Sequence, residues 1–484
     1  MDMDTIFFSD IENNHYLFSF YRRQLIYLSS CLSEICQLLC DKHKSLNEVK
    51  VLLSQQYSDN EIETALKKYD LLSKNNYFKS HTPYIVKNFK FREFDFSDLK
   101  TVTFEVTQRC NLRCKYCING EMYNHDENDY TDDLSFEKAK AVIDFLADKI
   151  QEGSSVKSKI TFGFYGGEPL LQFELIKEIV EYIKMKVSPI TPVDFTMTTN
   201  GLLLKKHLNF LVGNNFLLLV SFDGNRKHSE YRMPTGEEIL FSKLYNNIKF
   251  IKKEYPSYFK ERITFNTVIH DRTELAPMLE FFKNEFEKLP LLSDLSGEGI
   301  KNQEMFRKMY KSSDDELEAI ADNIDFSDYM KISPRVAYIN KFFDNLLIGR
   351  HIKSLHTIDI QNAPDEYLTS GTCMPFSFKL FVSATGKLYP CERVGYRYPF
   401  GYINESRQVI IDLETINSLY KTLFEKVVEK CSTCYNIYSC SSCLFSSQGK
   451  CSYQTKEEFT KELATHINNL IKRKKHLENH EDIN

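Results

Sequence analysis

The chain has no tryptophan, no excess of basic residues and no long apolar run. The missing tryptophan belongs to a bias toward Lys, Asn, Ile, Tyr and Phe that says little about chemistry. Lys and Arg number 62 against 67 Asp and Glu, a formal charge of −5, which removes any general electrostatic reason to bind nucleic acid. No stretch approaches the roughly 20 apolar residues that a membrane helix needs. Met1 to Asn14 is acidic and polar, not basic and then apolar, so no secretory signal is expected and the expected location is the cytoplasm.

What is present is bulk and sulfur. At 484 residues, 42% hydrophobic, the chain is too long for one ordinary core and implies two or three domains. Its 13 cysteines are poor candidates for disulfides in a reducing compartment, so clustered ones read as metal ligands. They fall into four groups: Cys31, Cys36 and Cys40; Cys110, Cys114 and Cys117; Cys373 and Cys391; and a tail set of Cys431, Cys434, Cys440, Cys443 and Cys451. At about 100° per residue, Cys36 and Cys40 share a helix face while Cys31 sits apart, so the first group reads as small buried side chains.

The first 95 residues read as a separate unit. Tyr16–Phe20 and Gln24–Tyr27 suggest a hairpin, and Ser30–Leu39 an apolar-periodic helix. Ser45 with Glu48 is a capping-box start for a helix through Leu53; Ser58 with Glu61 opens a third, with Ile62, Ala65 and Leu66 on one face. Tyr69–Phe78 suggests a short β wing, giving a winged helix–turn–helix outline, a shape that binds DNA in some proteins and peptides in others. From Thr101 the pattern changes. Strands are predicted at Thr101–Val106, Ile160–Phe164, Val193–Thr198, Leu217–Phe222 and Ile263–Ile269. They alternate with helices at Phe136–Ile150, Leu171–Val187, Lys205–Leu211, Ile239–Glu254 and Leu275–Glu287. A sixth unit uses Leu289–Leu292 and a helix Arg335–Leu347, separated by a charged insertion over 293–332. This α/β alternation implies a parallel sheet, full or partial barrel, with its site at the carboxyl ends of the strands.

Cys110-Asn-Leu-Arg-Cys114-Lys-Tyr-Cys117 directly follows the first of these strands. Three thiolates so spaced can hold three irons of a cubane cluster and leave the fourth open to chelate a small molecule. A structural zinc site short of one ligand is the alternative. The C-x₃-C-x₂-C spacing, with an aromatic before the last Cys, closely resembles the radical S-adenosylmethionine (SAM) superfamily. That resemblance implies a partial (β/α)6 barrel over 96–350 and a [4Fe–4S] cluster that cleaves SAM to methionine and a 5′-deoxyadenosyl radical. It also implies site residues. Gly166-Gly167-Glu168-Pro169 resembles the motif at the SAM amino group, with glycines for close backbone approach and a carboxylate for an ammonium. Thr199 and Asn200 end the third strand, where relatives place polar groups near SAM. Ser221 and Asp223 end the fourth, with Arg232 downstream; Ser221 resembles a ribose contact and Arg232 a partner of the SAM carboxylate. Tyr116 and Val268 are expected near the adenine.

Cys373-x₁₂-Gly386-x₄-Cys391, followed by the five tail cysteines, resembles the seven-cysteine SPASM extension of radical SAM enzymes that mature peptides. Phe378–Val382 and Lys387–Tyr389 flank a turn at Ser383–Gly386, where Gly386 fits a position needing φ > 0. A pair of zinc sites is the alternative. The resemblance implies two auxiliary [4Fe–4S] clusters over 351–455, three in all. Cys431, Cys434, Cys440 and Cys451 would hold the distal cluster, and Cys373, Cys391 and Cys443 the proximal one. Residues 365–372 hold no further Cys, so the proximal cluster has an open iron or a non-Cys ligand. Cys440-x₂-Cys443 is one residue shorter than the usual spacing, which leaves the partition of ligands open. Residues 456–484 read as a C-terminal helix with a solvated basic end at Lys472–Lys475.

The combination resembles maturases of ribosomal peptides, which capture a leader as an added β-strand on the N-terminal unit. It implies a precursor peptide and an electron donor such as flavodoxin or ferredoxin as partners, with neither nucleic acid nor membrane. The expected chemistry is hydrogen abstraction followed by an intramolecular cross-link, a thioether before a carbon–carbon or carbon–oxygen bond. Two alternatives stand beside it: an anaerobic sulfatase maturase forming formylglycine, and a zinc-stabilised DNA-binding regulator. No general base is singled out by the sequence.

Overall fold

The computed structural model describes residues 4–22, 24–80, 96, 99–123, 131–152, 159–232, 238–297, 299–313, 316, 372–373, 375–435, 440, 442–445, 451 and 453–481. The described residues form two compact units. One comprises those of 1–89 and 421–484 with Thr372; the other comprises those of 90–333 and 373–420.

In the first unit, β1 (Ile6–Ser9), β2 (His15–Ser19) and β3 (Gln24–Leu28) form an antiparallel sheet in the order β1-β2-β3. The hairpin expected from alternation is β2–β3; β1, only four residues long, carries too short a pattern to be read in sequence. A helix Ser30–Cys36 follows and tightens into a π-helical turn over Gln37–Asp41. Both expected capping boxes are present: Ser45 with Glu48 opens Leu46–Leu53, and Ser58 with Glu61 opens Asp59–Lys74. The wing expected over 69–78 is absent. The last helix runs through Lys74, and Asn75–Phe78 is a turn, because Tyr69, Leu72, Tyr77 and Phe78 pack on the helical core of this unit. Cys31 and Cys36 are buried in that core, and Cys40 lies partly buried beside the Tyr69 hydroxyl. The C-terminal helix Lys456–Glu481 belongs to the same unit. Phe459 packs on Phe18 and Phe20, Tyr435 meets Phe20 edge-on at 5.2 Å, and Asn468 Oδ1 accepts from the Ile11 N–H at 2.8 Å.

The second unit is built on β4 (Thr101–Thr107), β5 (Ile160–Gly166), β6 (Val193–Thr199), β7 (Leu217–Ser221), β8 (Ile263–Val268) and β9 (Leu291–Ser293). These six are parallel neighbours in chain order. Next to β4, β10 (Lys379–Val382) adds in parallel, and β11 (Lys387–Tyr389), β12 (Gly401–Ile403) and β13 (Val409–Ile411) follow antiparallel. The ten-stranded order is thus β13-β12-β11-β10-β4-β5-β6-β7-β8-β9. The expected hairpin is β10–β11, with Gly386 at φ +90 in its turn.

Side-chain alternation gives this sheet two unlike faces. One carries Val102, Phe104, Phe162, Phe164, Met197, Val220 and Phe265, all essentially buried, and Phe265 meets Phe282 and Phe286 of the helix Leu275–Phe286. Ladder partners on the other face are polar: Thr103 with Gly163, Glu105 with Tyr165, Ser221 with Asn266. A parallel sheet buried on both sides would read as continuous apolar runs. Here one face is kept polar, and the site lies at its carboxyl end. The helix Pro256–Arg262 precedes β8, as does an insertion-like helix Gln303–Met309 follow β9. The helix expected over 335–347 and the rest of the insertion beyond 316 lie outside the described residues. Among the described residues no helix is long and apolar enough to cross a membrane.

Candidate active site at the carboxyl ends of the strands

The three cysteines occupy a tight loop after β4. The Cys117 N–H donates to Cys114 O at 3.0 Å, and Gly120 N–H to Cys117 O at 2.8 Å. Cys110 Sγ accepts from the Leu112 N–H at 3.3 Å, and Cys114 Sγ donates to Arg232 O at 3.8 Å. Burial raises the pKa of all three thiols, and neighbouring thiols add to the rise at Cys110 and Cys114; Cys114 is pushed up to about 12. Thiols raised in this way become thiolates when a cation arrives to bind them. Among the described residues, no three His, Cys, Asp or Glu side chains converge on one ion. Three cysteine thiols on one loop are a donor set that fits iron–sulfur ligation.

The glycine pair of the GGEP turn is explained by the chain's own backbone. A Cβ on Gly166, at φ +134, would lie 2.0 Å from Thr107 O, and one on Gly167 would lie 2.3 Å from Arg109 O. Gly167 N–H donates to Thr107 O and Glu168 N–H to Arg109 O, both at 2.9 Å. The turn is therefore stitched to the segment that leads into Cys110. Glu168 is fully buried. Its Oε1 accepts from Thr199 Oγ1 at 2.8 Å and the Leu170 N–H at 3.1 Å, and its Oε2 from the Asn200 N–H at 2.7 Å. Burial nonetheless pushes its pKa up to about 7. Pro169 begins the short 3₁₀ turn that Glu168 caps. Asn200 then closes the ring: its Nδ2 donates to Asn111 Oδ1 at 2.7 Å and lies 3.9 Å from Cys110 Sγ.

Asp223, fully buried after β7, organises the other side. Its carboxylate takes Arg232 Nε and Nη2, each at 3.2 Å, the Val268 N–H at 3.1 Å, and the Tyr116 hydroxyl. Arg232 is buried over the Tyr116 ring, 5.5 Å from its centroid, and the Asp223 charge holds it protonated against burial. The structure thus brings Tyr116, Asp223, Arg232 and Val268 together, beside Cys114. The expected Arg fork is engaged by a carboxylate of the chain itself. Ser221 stands half-buried at the end of β7.

Sequence reasoning missed His270 and Glu105. The His270 ring stacks on Tyr116 and meets Tyr231 at a tilt, its Nε2 hydrogen-bonds His228 O at 3.0 Å, and burial lowers its pKa. Glu105, buried on the polar face of β4, accepts from the Ala384 N–H at 2.9 Å and from the Tyr396 hydroxyl. The signal for both was available: His270 starts a run of polar residues at a strand end, and Glu105 interrupts an apolar strand.

The C-terminal cysteines are divided between the units. Cys391 begins in extended backbone after β11, and Cys373 O accepts from the Tyr420 hydroxyl at 2.6 Å. In the other unit Cys431 and Cys434 are buried; Cys440, Cys443 and Cys451 are half-buried. Cys434 and Cys440 lie close enough to Cys451 to add to the rise that burial causes in its pKa.

The model of the radical SAM superfamily matches residues 104–282. The chain is 25% identical over 319 residues to a cysteine-type anaerobic sulfatase-maturating enzyme of Clostridium novyi, spanning 62% of this chain and 75% of that protein. It is 25% identical over 199 residues to the radical SAM cyclopropyl synthase TigE of Paramaledivibacter caminithermalis, 39% of this chain and 38% of that one. The fold is similar to the solved structure of native anSMEcpe with bound AdoMet, at TM-score 0.51 and 18% identity, over 77% of this chain and 96% of that one. A [4Fe–4S] cluster and S-adenosylmethionine are what such a fold implies. Residues 104–282 are a radical SAM superfamily domain.

Proposed function

We propose that the enzyme abstracts a hydrogen from a ribosomal precursor peptide and closes an intramolecular cross-link, a thioether in the first instance. One observation carries the peptide: in the N-terminal sheet β3 is an edge, paired only with β2 among the described residues, and its Tyr27 is 64% exposed. Such an edge offers main-chain hydrogen bonds to a leader adding as a fourth strand. The helix Lys456–Glu481 packs on the aromatic residues of β2 and its neighbour Phe20, leaving the β3 edge to the peptide.

The residues divide the work as follows. Cys110, Cys114 and Cys117 would hold the first cluster, and the tail cysteines with Cys373 and Cys391 would hold two auxiliary ones. The first cluster, with S-adenosylmethionine bound beside it, would supply the radical chemistry that removes the substrate hydrogen. The GGEP turn, Thr199 and Asn200 order the cysteine loop, and Asp223 orients Arg232 and Tyr116. Thioether formation takes a hydrogen atom from the carbon and a proton from the substrate thiol, and an auxiliary cluster would be the acceptor for the one electron left over. An electron donor such as flavodoxin or ferredoxin would be the second partner.

The test is co-expression with the short peptide encoded nearest the gene, read by mass spectrometry. Loss of two hydrogens in the peptide supports cross-linking. A second reading, formylglycine formation, is favoured by the likeness to the Clostridium novyi enzyme over 75% of its length. An untouched precursor, together with conversion of the Cys of a sulfatase-derived peptide to formylglycine, would replace the first reading with the second.

A further inference from the structure

Ser221 and Asn266 are ladder partners on β7 and β8, so their side chains leave the same polar face as neighbours, about 4.8 Å apart across the strands. Ser293, the last residue of β9, donates its hydroxyl to Asn266 Oδ1 at 2.8 Å. That bond occupies the acceptor end of the carboxamide. Because β9 lies on one side of β8 and β7 on the other, it turns Nδ2 toward Ser221. Among the described residues, neither that Nδ2 nor the Ser221 hydroxyl has a hydrogen-bond partner in the chain, and both residues are only half-buried. Two residues further along β8, the Val268 N–H is tied to the Asp223 carboxylate that also holds Arg232 and Tyr116.

A hydroxyl and a pinned amide side by side match two hydroxyls on adjacent carbons. Each sugar hydroxyl can donate and accept, so one can take the Nδ2 proton while the other exchanges a hydrogen bond with Ser221. We propose that Asn266 is a second ribose-binding residue, acting with Ser221 on the vicinal diol of S-adenosylmethionine, and that Ser293 is the positioning residue that aims its amide. The pair explains why β8 carries a carboxamide in a row whose other positions are Thr264 and Val268. It rests on the enzyme's binding S-adenosylmethionine and not on which bond the peptide gains.

The test is calorimetric titration of the anaerobic, cluster-loaded enzyme with S-adenosylhomocysteine and with its 2′-deoxy and 3′-deoxy analogues. Wild type is expected to favour the ribose form over one deoxy analogue by about tenfold, the worth of one well-placed hydrogen bond. Asn266→Leu should weaken S-adenosylhomocysteine by the same factor and lose that preference. Its cluster absorbance and its urea-unfolding midpoint should match wild type, which separates the effect from misfolding. Ser293→Ala should weaken binding about threefold through a less ordered amide. A variant at Asn266 that kept both affinity and preference, while raising the peptide KM, would overturn the proposal and assign the amide to the peptide. Wild-type enzyme that bound none of the three nucleosides would overturn the cofactor reading and this proposal with it.

Discussion

At the scale of single residues, the site is held by groups whose partners lie far along the chain. Glu168 is the sharpest case. Its ordinary pKa is 4.5 and in the fold it is about 7, so between those values the folded state holds a proton that the unfolded state has released. Its contribution to stability is full below about 4.5 and falls as pH rises to about 7, by roughly 3 kcal/mol for a fully buried group. Glu168→Gln should remove this slope, seen as the wild-type-minus-variant difference in urea unfolding at pH 5 and pH 7.5; an equal difference at both would exclude it. Gly166→Ala is a second residue-scale prediction. Its Cβ meets backbone oxygen, not a movable side chain, so a loss of about 2–4 kcal/mol is expected, with lower iron incorporation at Cys110. The GGEP motif was legible in sequence. That its glycines approach Thr107 and Arg109, and that its carboxylate is clamped by Thr199 and Asn200, was not, because those contacts are set by the neighbouring strands.

At the scale of elements, helices and strands with a strong period were legible: β4 to β8 and the helices between them lie within a few residues of their expected positions. Short or ambiguous pieces were not. β1, β12 and β13 have three or four residues each, too few to show a period, and the expected wing over 69–78 gave way to a helix whose aromatic residues found a core. The aromatic cluster of Phe18, Phe20, Tyr435 and Phe459 makes the N-terminal sheet and the C-terminal helix one body. Phe20→Ala should cost about 3–5 kcal/mol, as truncation of a buried ring does. Hydrogen exchange should then quicken together in β2 and in the helix Lys456–Glu481. Faster exchange in β2 alone would show that the two elements are not coupled.

At the scale of the whole molecule, the cysteines divide into sets that can be removed separately. Anaerobically reconstituted enzyme should hold about twelve irons per chain, four for each of three clusters. Replacing Cys110, Cys114 and Cys117 with Ala should remove about four of them and abolish SAM cleavage. Replacing Cys431 and Cys434 should lower iron while leaving SAM cleavage in the absence of peptide. A wild-type content of about four would eliminate the auxiliary clusters.

By itself the sequence determined the chemistry that is local in the chain. Three thiols within eight positions, a glycine turn after the next strand and two capping boxes are short-range patterns, and their physics is complete within a few residues. Tertiary structure decided everything that depends on partners brought from afar. It turned Arg232 onto Asp223, stacked His270 on Tyr116 and set Ser293 against Asn266. It also joined the first strands to the last helix. Those pairings follow from strand order and from which face each side chain leaves, and neither is written in any one stretch of sequence.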